Sequence, residues 1–275
     1  MEIVKKSLYK KIVFIGGGMM AEAIISGMLK SAIVKPANIV VTDVNKSRLE
    51  YLSEVYKVTA VDNTIMALQD ASIVFLSIKP QVFLSSLDKK VVQNIPAKAI
   101  IVSIMAGIEL KDLSVVLPKN LAIRVMPNTP LAVNEGMTVL SRGKGVTDEQ
   151  LNGVMDIFKA SGEALELPEN LLDAVTGLSG SGPGYLFVIL DALADAGVMA
   201  GLPRDIAIKL AAQTMCGTGR MAVQTGEHPA KLRDQVTSPG GTTIAGIAAM
   251  EKSGVRSGII EAVITSMEKS RSLKK

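Results

Sequence analysis

The chain has 275 residues, of which 48% are hydrophobic and only 3% aromatic, and its formal net charge is +4. This length accommodates one large domain or two of ordinary size, and aliphatic cores suit helices packed on a parallel sheet. The mild charge, with no basic stripe and few aromatic side chains for base stacking, argues against a nucleic-acid-binding protein.

The cysteine and histidine content and the hydropathy of the chain exclude further classes of protein. Cys216 and His228 are the only residues of their kind, which excludes an intrachain disulfide and argues against a zinc site. We therefore expect no metal. Residues 1–6 lack the pattern of a signal peptide, and aspartates interrupt the most apolar segment, residues 185–202. We expect a cytoplasmic protein that does not cross a membrane.

The first strand and helix enclose a glycine pattern. Residues 11–15 form an apolar, β-branched run that predicts a buried strand, and from Ala21 onward apolar residues recur with a helical period. Gly16, Gly18 and Ala21 occupy the positions of a dinucleotide-binding turn, where they permit a tight turn, close approach of a pyrophosphate and helix–strand packing. The predicted cofactor contacts in this loop are Gly16, Gly18, Met19 and Met20.

The second strand, predicted over residues 38–42, ends at an acidic residue. Asp43 lies roughly 20 residues past the glycine pattern, where a carboxylate can hold the adenosine ribose. Asn45, Lys46 and Arg48 follow, however, and these side chains could hold a 2′-phosphate. Asp43 and Lys46 are both predicted cofactor contacts, and the sequence leaves NADH and NADPH open.

Strands and helices then alternate. Further strands are predicted near residues 58–60 and over 72–78, 99–103 and 121–125, with helices from Asn63 and over 110–117. This order is typical of a doubly wound, mostly parallel sheet, which binds ligands at the carboxyl ends of its strands. Asn128 lies there between two prolines that stiffen its loop. The predicted cofactor contacts at these ends are Ser77, Lys79, Pro80, Ala106, Gly107 and Asn128.

The pattern changes from mixed to helical near residue 168. A strand over 136–140, a helix through 151–158 and a last strand over 164–167 complete the first part. We predict a dinucleotide-binding domain over residues 1–166 and a helical domain over 167–275. The helix predicted over 186–200 is apolar nearly all round, and in so small a domain this indicates burial against a second subunit.

A second ligand-binding pattern lies in the helical part. Ser238-Pro239-Gly240-Gly241-Thr242-Thr243 forms a turn that leads into a helix. Two glycines let the backbone approach a ligand, the helix start offers unpaired N–H groups, and the hydroxyls add donors. This stretch predicts a site for a small carboxylate or phosphate, although a helix cap after a tight turn has the same composition.

Together these motifs resemble the pyrroline-5-carboxylate reductase family, in family order and over nearly the whole chain. Met19 departs from the asparagine that many members have after the glycine run. The matching stretches are residues 16–23, 78–81, 103–107, 124–130, 180–183 and 232–243.

The resemblance implies an N-terminal Rossmann-like domain followed by an all-α dimerisation domain, and an enzyme that reduces 1-pyrroline-5-carboxylate to L-proline with NADPH, NADH being possible. It implies that Thr243 is the catalytic residue, near the ring nitrogen. It also implies a domain-interleaved dimer, with a decamer as a larger assembly. The implied substrate contacts are Ser238, Gly240, Gly241, Thr242 and Thr243.

Two other functions stay open from the residues alone. One is a related imine or β-hydroxyacid reductase, but a β-hydroxyacid dehydrogenase would place a lysine in the helical domain, and residues 176–185 contain none. The other is a nicotinamide-binding redox sensor, which would not need a second, hydroxyl-rich anion site.

Overall fold

The computed structural model describes residues 9–273, so the segment on which the expected absence of a signal peptide rests lies outside the described residues. The chain forms two compact units. The first unit contains residues 9–180 together with 266–273, and the second unit is Ser181–Thr265. Within its described part, the chain leaves the first unit once and returns to it.

An eight-stranded sheet organises the first unit, in the order β3-β2-β1-β4-β5-β6-β7-β8. All neighbours are parallel except β6 and β7, which are antiparallel. The connection between Met126 and Gly136 is too short for a parallel crossover, which needs about ten residues or more. The strands are β1 Ile12–Ile15, β2 Ile39–Thr42, β3 Thr59–Val61, β4 Ile73–Leu76, β5 Ile100–Ser103, β6 Leu121–Met126, β7 Gly136–Arg142 and β8 Gly162–Glu166.

Successive strand residues point to opposite sides of the sheet. Because strands such as β1 and β4 are apolar and buried throughout, both faces of the sheet are covered by helices. Phe14 and Phe75 stack on one face with ring centroids 4.4 Å apart, while Val13 and Val74 belong to the core of the other face. The helices of this unit are α1 Met19–Lys30, α2 Lys46–Tyr56, α3 Thr64–Leu68, α4 Phe83–Ser86, α5 Lys89–Asn94, α6 Leu110–Val116, α7 Asp148–Lys159 and α8 Leu172–Val175. A π-helical segment, Thr176–Gly180, follows α8.

The second unit is helical. The buried residues of α9 and α10 are all small, namely Gly182, Ala194, Ala207 and Ala211. Large apolar side chains of the same helices are exposed instead, including Phe187 at 65% and Met199 at 90%. The helices are α9 Gly182–Met199, α10 Arg204–Thr225, α11 Pro229–Gln235, α12 Thr242–Lys252 and α13 Val255–Ser272, of which the last ends in the first unit.

The predicted fold class is confirmed, and the predicted strands lie within two residues of the observed ones. The long apolar helix begins at Gly182 rather than at residue 186, since Pro183 is tolerated in a first helical turn. The predicted domain boundary at 166/167 follows the last strand, whereas the compact units divide after Gly180. Glu169 accepts a hydrogen bond from Arg124 of β6, and the Ser179 oxygen accepts one from Asn128 in the loop after β6, which attaches residues 169–179 to the first unit. The domain boundary itself stays a prediction.

One helical stretch, Glu169–Met199, is long and apolar enough to cross a membrane by length and composition alone. This is weak evidence, because core helices of soluble proteins have the same properties. The expectation that the protein does not span a membrane stays a prediction.

Candidate active site

The first glycine of the loop after β1 has no room for a side chain. Gly16 has φ +100°, and an added Cβ would lie 2.6 Å from the backbone oxygen of Ser77. The Ser77 hydroxyl donates to the Gly16 oxygen at 2.7 Å and to the Ile15 oxygen at 3.1 Å. The predicted contact residue Ser77 therefore holds the glycine loop against the end of β4.

Asp43 binds the same loop from the end of β2. Its Oδ2 accepts a 2.7 Å hydrogen bond from the Gly17 amide, and its Oδ1 accepts one from Asn45 at 2.9 Å. The Gly16 amide donates to Thr42 at 2.8 Å. The carboxylate thus lies between the glycine loop and the start of α2, beside the position that a dinucleotide ribose occupies in such folds.

The remaining amides of the loop fit a pyrophosphate. Gly18 is the N-cap of α1, and nothing lies within 4 Å of a Cβ added there. The amides of Gly18, Met19 and Met20 have no acceptor within the described part of the chain, as expected for the first donors of a helix. A phosphate group satisfies such donors and is favoured by the helix dipole.

The three candidates for a 2′-phosphate differ in their surroundings. Asn45 caps α2, where its Oδ1 accepts from the Arg48 amide at 3.2 Å. Lys46 is exposed at the first position of that helix. Arg48 is engaged with the glycine loop, since its Nε donates to the Gly17 oxygen at 2.5 Å and its guanidinium pairs with Glu22. Asn45 and Lys46 are thus both exposed, and of these two Lys46 carries the positive charge that suits a phosphate.

The carboxylate of Glu22 is a component that sequence reasoning missed. Besides Arg48, it accepts from the hydroxyls of Tyr51 at 2.9 Å and Tyr56 at 2.8 Å. Burial raises the pKa of Glu22, but the hydrogen bonds from Arg48, Tyr56 and Tyr51 outweigh it, and the net pKa lies below its usual value. Burial and the bond to Glu22 raise the pKa of Tyr56 to about 12.

The loops after β4 and β5 lie at the same edge of the sheet as the glycine loop, because these strands are parallel to β1. Lys79 is exposed, and Pro80 begins a single 3₁₀ turn. Ala106 is half-buried, while Gly107 is buried with φ +78°. A Cβ added at Gly107 would lie 3.5 Å from the Cβ of Leu273, so Leu273 covers this loop.

Asn128 has protein partners at both ends of its amide. Its Nδ2 donates to the Ser179 oxygen at 3.1 Å, and its Oδ1 accepts from the Met137 amide at 2.8 Å. The side chain therefore ties the loop after β6 to the π-helical segment and to β7. A contact between Asn128 and a cofactor stays a prediction.

The predicted substrate loop lies at the start of α12. Gly240 has φ +67°, and Gly241 is the N-cap residue without a side-chain cap. A Cβ added at Gly241 would lie 2.3 Å from the Ser238 hydroxyl oxygen, so a side chain there would displace that hydroxyl. Ser238, Thr242 and Thr243 are exposed. These hydroxyls and the first amides of α12 lie within one short turn, and such donors suit an anion.

Among residues 9–273, no group of three or more histidine, cysteine or acidic side chains is arranged to hold a metal ion. The expectation of a metal-free site stays a prediction.

A mostly parallel sheet, a glycine turn with free helix amides and a strand-end acid are typical of a dinucleotide-binding oxidoreductase. Two family models agree, "NADP oxidoreductase coenzyme F420-dependent" over residues 11–107 and "Pyrroline-5-carboxylate reductase dimerisation" over residues 169–273. The chain is 45% identical to the pyrroline-5-carboxylate reductase of Synechocystis over 95% of this chain and 97% of that protein. It is 42% identical to the Arabidopsis thaliana enzyme of the same name, over 96% and 95%.

Solved structures agree in fold. The Coxiella burnetii pyrroline-5-carboxylate reductase superposes with a TM-score of 0.90 at 31% identity, covering 97% of this chain and 99% of that one. The Plasmodium falciparum pyrroline carboxylate reductase, solved with NADP bound, superposes with a TM-score of 0.86 at 28% identity, over 96% and 98%. This chain belongs to the pyrroline-5-carboxylate reductase family. The predicted family, enzyme class and NADP cofactor are confirmed.

Proposed function

We propose that this chain reduces 1-pyrroline-5-carboxylate to L-proline, the last step of proline biosynthesis, with NADPH as the preferred cofactor. The observation that carries the proposal is the presence of two loops suited to anions in one chain of this family. One is the glycine loop, whose free amides suit a pyrophosphate. The other is the Ser238–Thr243 turn, whose donors suit a small carboxylate.

The cofactor would rest on the amides of Gly18, Met19 and Met20, with Asp43 beside the ribose and Lys46 at the 2′-phosphate. Lys79, Pro80, Ala106, Gly107 and Asn128 would line the nicotinamide side. Bound NADPH supplies a hydride. Lys46 supports NADPH over NADH because it is exposed, and its positive charge suits a 2′-phosphate.

The substrate carboxylate would bind the backbone around Gly240, Gly241 and Thr242, assisted by the Ser238 hydroxyl. Thr243 would donate its hydroxyl hydrogen bond to the imine nitrogen. With a hydride supplied to the imine carbon, the nitrogen would take up a proton from solvent through the Thr243 hydroxyl, so that C=N would become CH–NH. Holding the two reactants in contact supplies much of the rate enhancement.

We further propose a homodimer as the basic assembly, with dimers joined into a decamer. The exposed apolar side chains of α9 and α10, among them Phe187 and Met199, support a partner surface on the second unit. A cytoplasmic enzyme without nucleic-acid or membrane partners fits the composition.

The first experiment measures oxidation of NADPH, and then of NADH, by the purified protein with 1-pyrroline-5-carboxylate, and identifies the product. Rapid oxidation with L-proline formed supports the proposal. Cofactor binding without oxidation would discard this substrate in favour of a related imine or β-hydroxyacid, or of a sensor.

Thr243 is tested in the same assay. Thr243→Ala should lower turnover about tenfold, because one hydrogen bond to the imine nitrogen is lost. The affinity for NADPH should stay unchanged. Thr243→Ser keeps the hydroxyl and should retain most of the turnover, and equal turnover in all three proteins would remove Thr243 from the mechanism.

A further inference from the structure

We infer that Arg48, clamped by Glu22, is a positioning residue that aims the amides of the glycine loop at the cofactor pyrophosphate, and that it is not a ligand of the 2′-phosphate. Asn45, Lys46 and Arg48 are equally plausible 2′-phosphate ligands by sequence. Only the geometry separates them. The inference rests on the proposed function for the identity of the cofactor.

The first step concerns the two faces of the loop. Arg48 Nε donates to the Gly17 oxygen at 2.5 Å, and Nη2 lies 3.4 Å from the Gly18 oxygen. In a trans peptide the C=O and the following N–H point in opposite directions. Because Arg48 binds the Gly17 oxygen on its own side, the Gly18 amide points away from Arg48. The Gly18 oxygen also accepts from the Glu22 amide at 3.0 Å, so Arg48 and the start of α1 together orient the Met19 amide.

The second step concerns what holds Arg48. Its guanidinium pairs with the Glu22 carboxylate, and both side chains are largely buried, with 23% and 20% of their surfaces exposed. The same guanidinium lies over the Tyr51 ring, 5.0 Å from its centroid, in an attractive cation–π arrangement. Tyr51 and Tyr56 in turn donate to Glu22. An arginine held by this many partners must break several contacts before it can reach a 2′-phosphate.

The third step concerns the way the other loop amides are used. Asp43 accepts from Gly17, and Thr42 accepts from Gly16. Asp43 therefore holds the Gly17 N–H, while Arg48 holds the Gly17 oxygen and approaches the Gly18 oxygen. The two side chains thus bind opposite ends of Gly17, and the backbone of Thr42 binds Gly16.

The two roles of Arg48 predict different responses to the two cofactors. NADPH and NADH share the pyrophosphate and differ only in the 2′-phosphate. A positioning residue acts on both cofactors alike, whereas a 2′-phosphate ligand acts on NADPH alone.

The experiment measures equilibrium dissociation constants of NADPH and NADH from the fluorescence of the bound cofactor, together with the melting temperature of each variant. Arg48→Ala should weaken both cofactors about tenfold and leave their affinity ratio unchanged, because two charge-assisted hydrogen bonds to the loop are lost. Lys46→Ala is the matched comparison and should weaken NADPH alone.

Glu22→Gln gives the sharper result, and it serves if Arg48→Ala does not fold. Loss of the charged partner loosens Arg48, so both affinities should fall together. A 2′-phosphate role predicts the opposite, namely tighter NADPH binding with NADH unaffected. Glu50→Gln, an exposed carboxylate on the same helix α2, should change neither constant.

NADPH-selective loss in Arg48→Ala, NADPH-selective gain in Glu22→Gln, or unchanged affinities in both variants would each overturn the inference. Failure of the wild-type protein to bind either cofactor would instead refute the proposed function.

Discussion

The hydroxyl of Ser270 donates a 2.9 Å hydrogen bond to Oδ1 of Asp173, and only 4% and 3% of these residues' surfaces are exposed. The two residues are 97 positions apart, and both belong to the first unit. Leu273 lies one helical turn further on and covers Gly107. The end of α13 is therefore a structural part of the dinucleotide-binding unit.

Ser270→Ala should lower the free energy of unfolding by about 2 kcal/mol, because a buried carboxylate loses a hydrogen-bond donor. Urea unfolding measures the change. Ser272→Ala is the control: its exposed hydroxyl donates to the local Lys269 oxygen, and its effect should stay within about 0.5 kcal/mol. Equal losses in the two variants would contradict the structural role of Ser270.

Alanine substitutions at two glycines of the cofactor loop should have different effects, one on folding stability and the other on cofactor binding. Gly16→Ala should lower the free energy of unfolding by about 1–3 kcal/mol, because alanine is strained at positive φ and its Cβ meets Ser77. Gly18→Ala should fold normally, since φ there is −65° and the space is open. Its methyl group should nevertheless obstruct the pyrophosphate and weaken NADPH binding about tenfold or more, a loss of at least about 1.4 kcal/mol.

Thermal melting and cofactor titration of both glycine variants separate the two effects. A stable Gly16→Ala protein with normal NADPH affinity would show that the loop has another conformation in solution.

Arg124 is buried with 1% of its side chain exposed, and its Nη1 lies 3.0 Å from Oε1 of Glu169, which is 29% exposed. Within the described residues, Nε and Nη2 of Arg124 have no hydrogen-bond partner. Glu169→Gln should cost about 3–5 kcal/mol of unfolding free energy, because it leaves a buried charge uncompensated. Arg124→Met removes that charge and should be close to neutral. Urea unfolding of both variants shows which of them loses more unfolding free energy. A larger loss in Arg124→Met than in Glu169→Gln would contradict this account.

The cluster of Glu22, Arg48, Tyr51 and Tyr56 should make the free energy of unfolding depend on pH. The folded-state pKa of Glu22 is lowered from its ordinary 4.5, so its contribution is present above that value and is lost as the pH falls through the folded pKa. Wild type should exceed Glu22→Gln in unfolding free energy at about pH 7, and the difference should shrink toward about pH 3. A pH-independent difference would mean that the charge of Glu22 is not what stabilises the cluster.

Sequence patterns predicted the sheet well because they are local. Residues 12–15 and 73–76 are continuous apolar runs, and such runs predict buried parallel strands. The antiparallel β7 was predictable in principle from the short connection after Met126. The π-helical segment was not, because no local residue pattern distinguishes Thr176–Gly180 from an ordinary helix end.

The site was predicted less completely, because its supporting contacts join distant segments. Gly16 and Asp43 are recognisable from spacing alone. The pairing of Glu22 with Arg48 requires α1 and α2 to be neighbours, and spacing along the chain does not indicate which charges then meet. Arg48 and Tyr51 are three residues apart on one face of α2, which is the one local clue to the cluster.

The path of the chain through the two units has a consequence for biosynthesis. The second unit is inserted between residue 180 and residue 266 of the first, and a ribosome makes the N-terminal part first. While the second unit is being synthesised, Asp173 and Gly107 lack the contacts that Ser270 and Leu273 later provide. The nascent dinucleotide-binding unit therefore remains unfinished until α13 has emerged, and only then do Asp173 and the Gly107 loop acquire the contacts of Ser270 and Leu273.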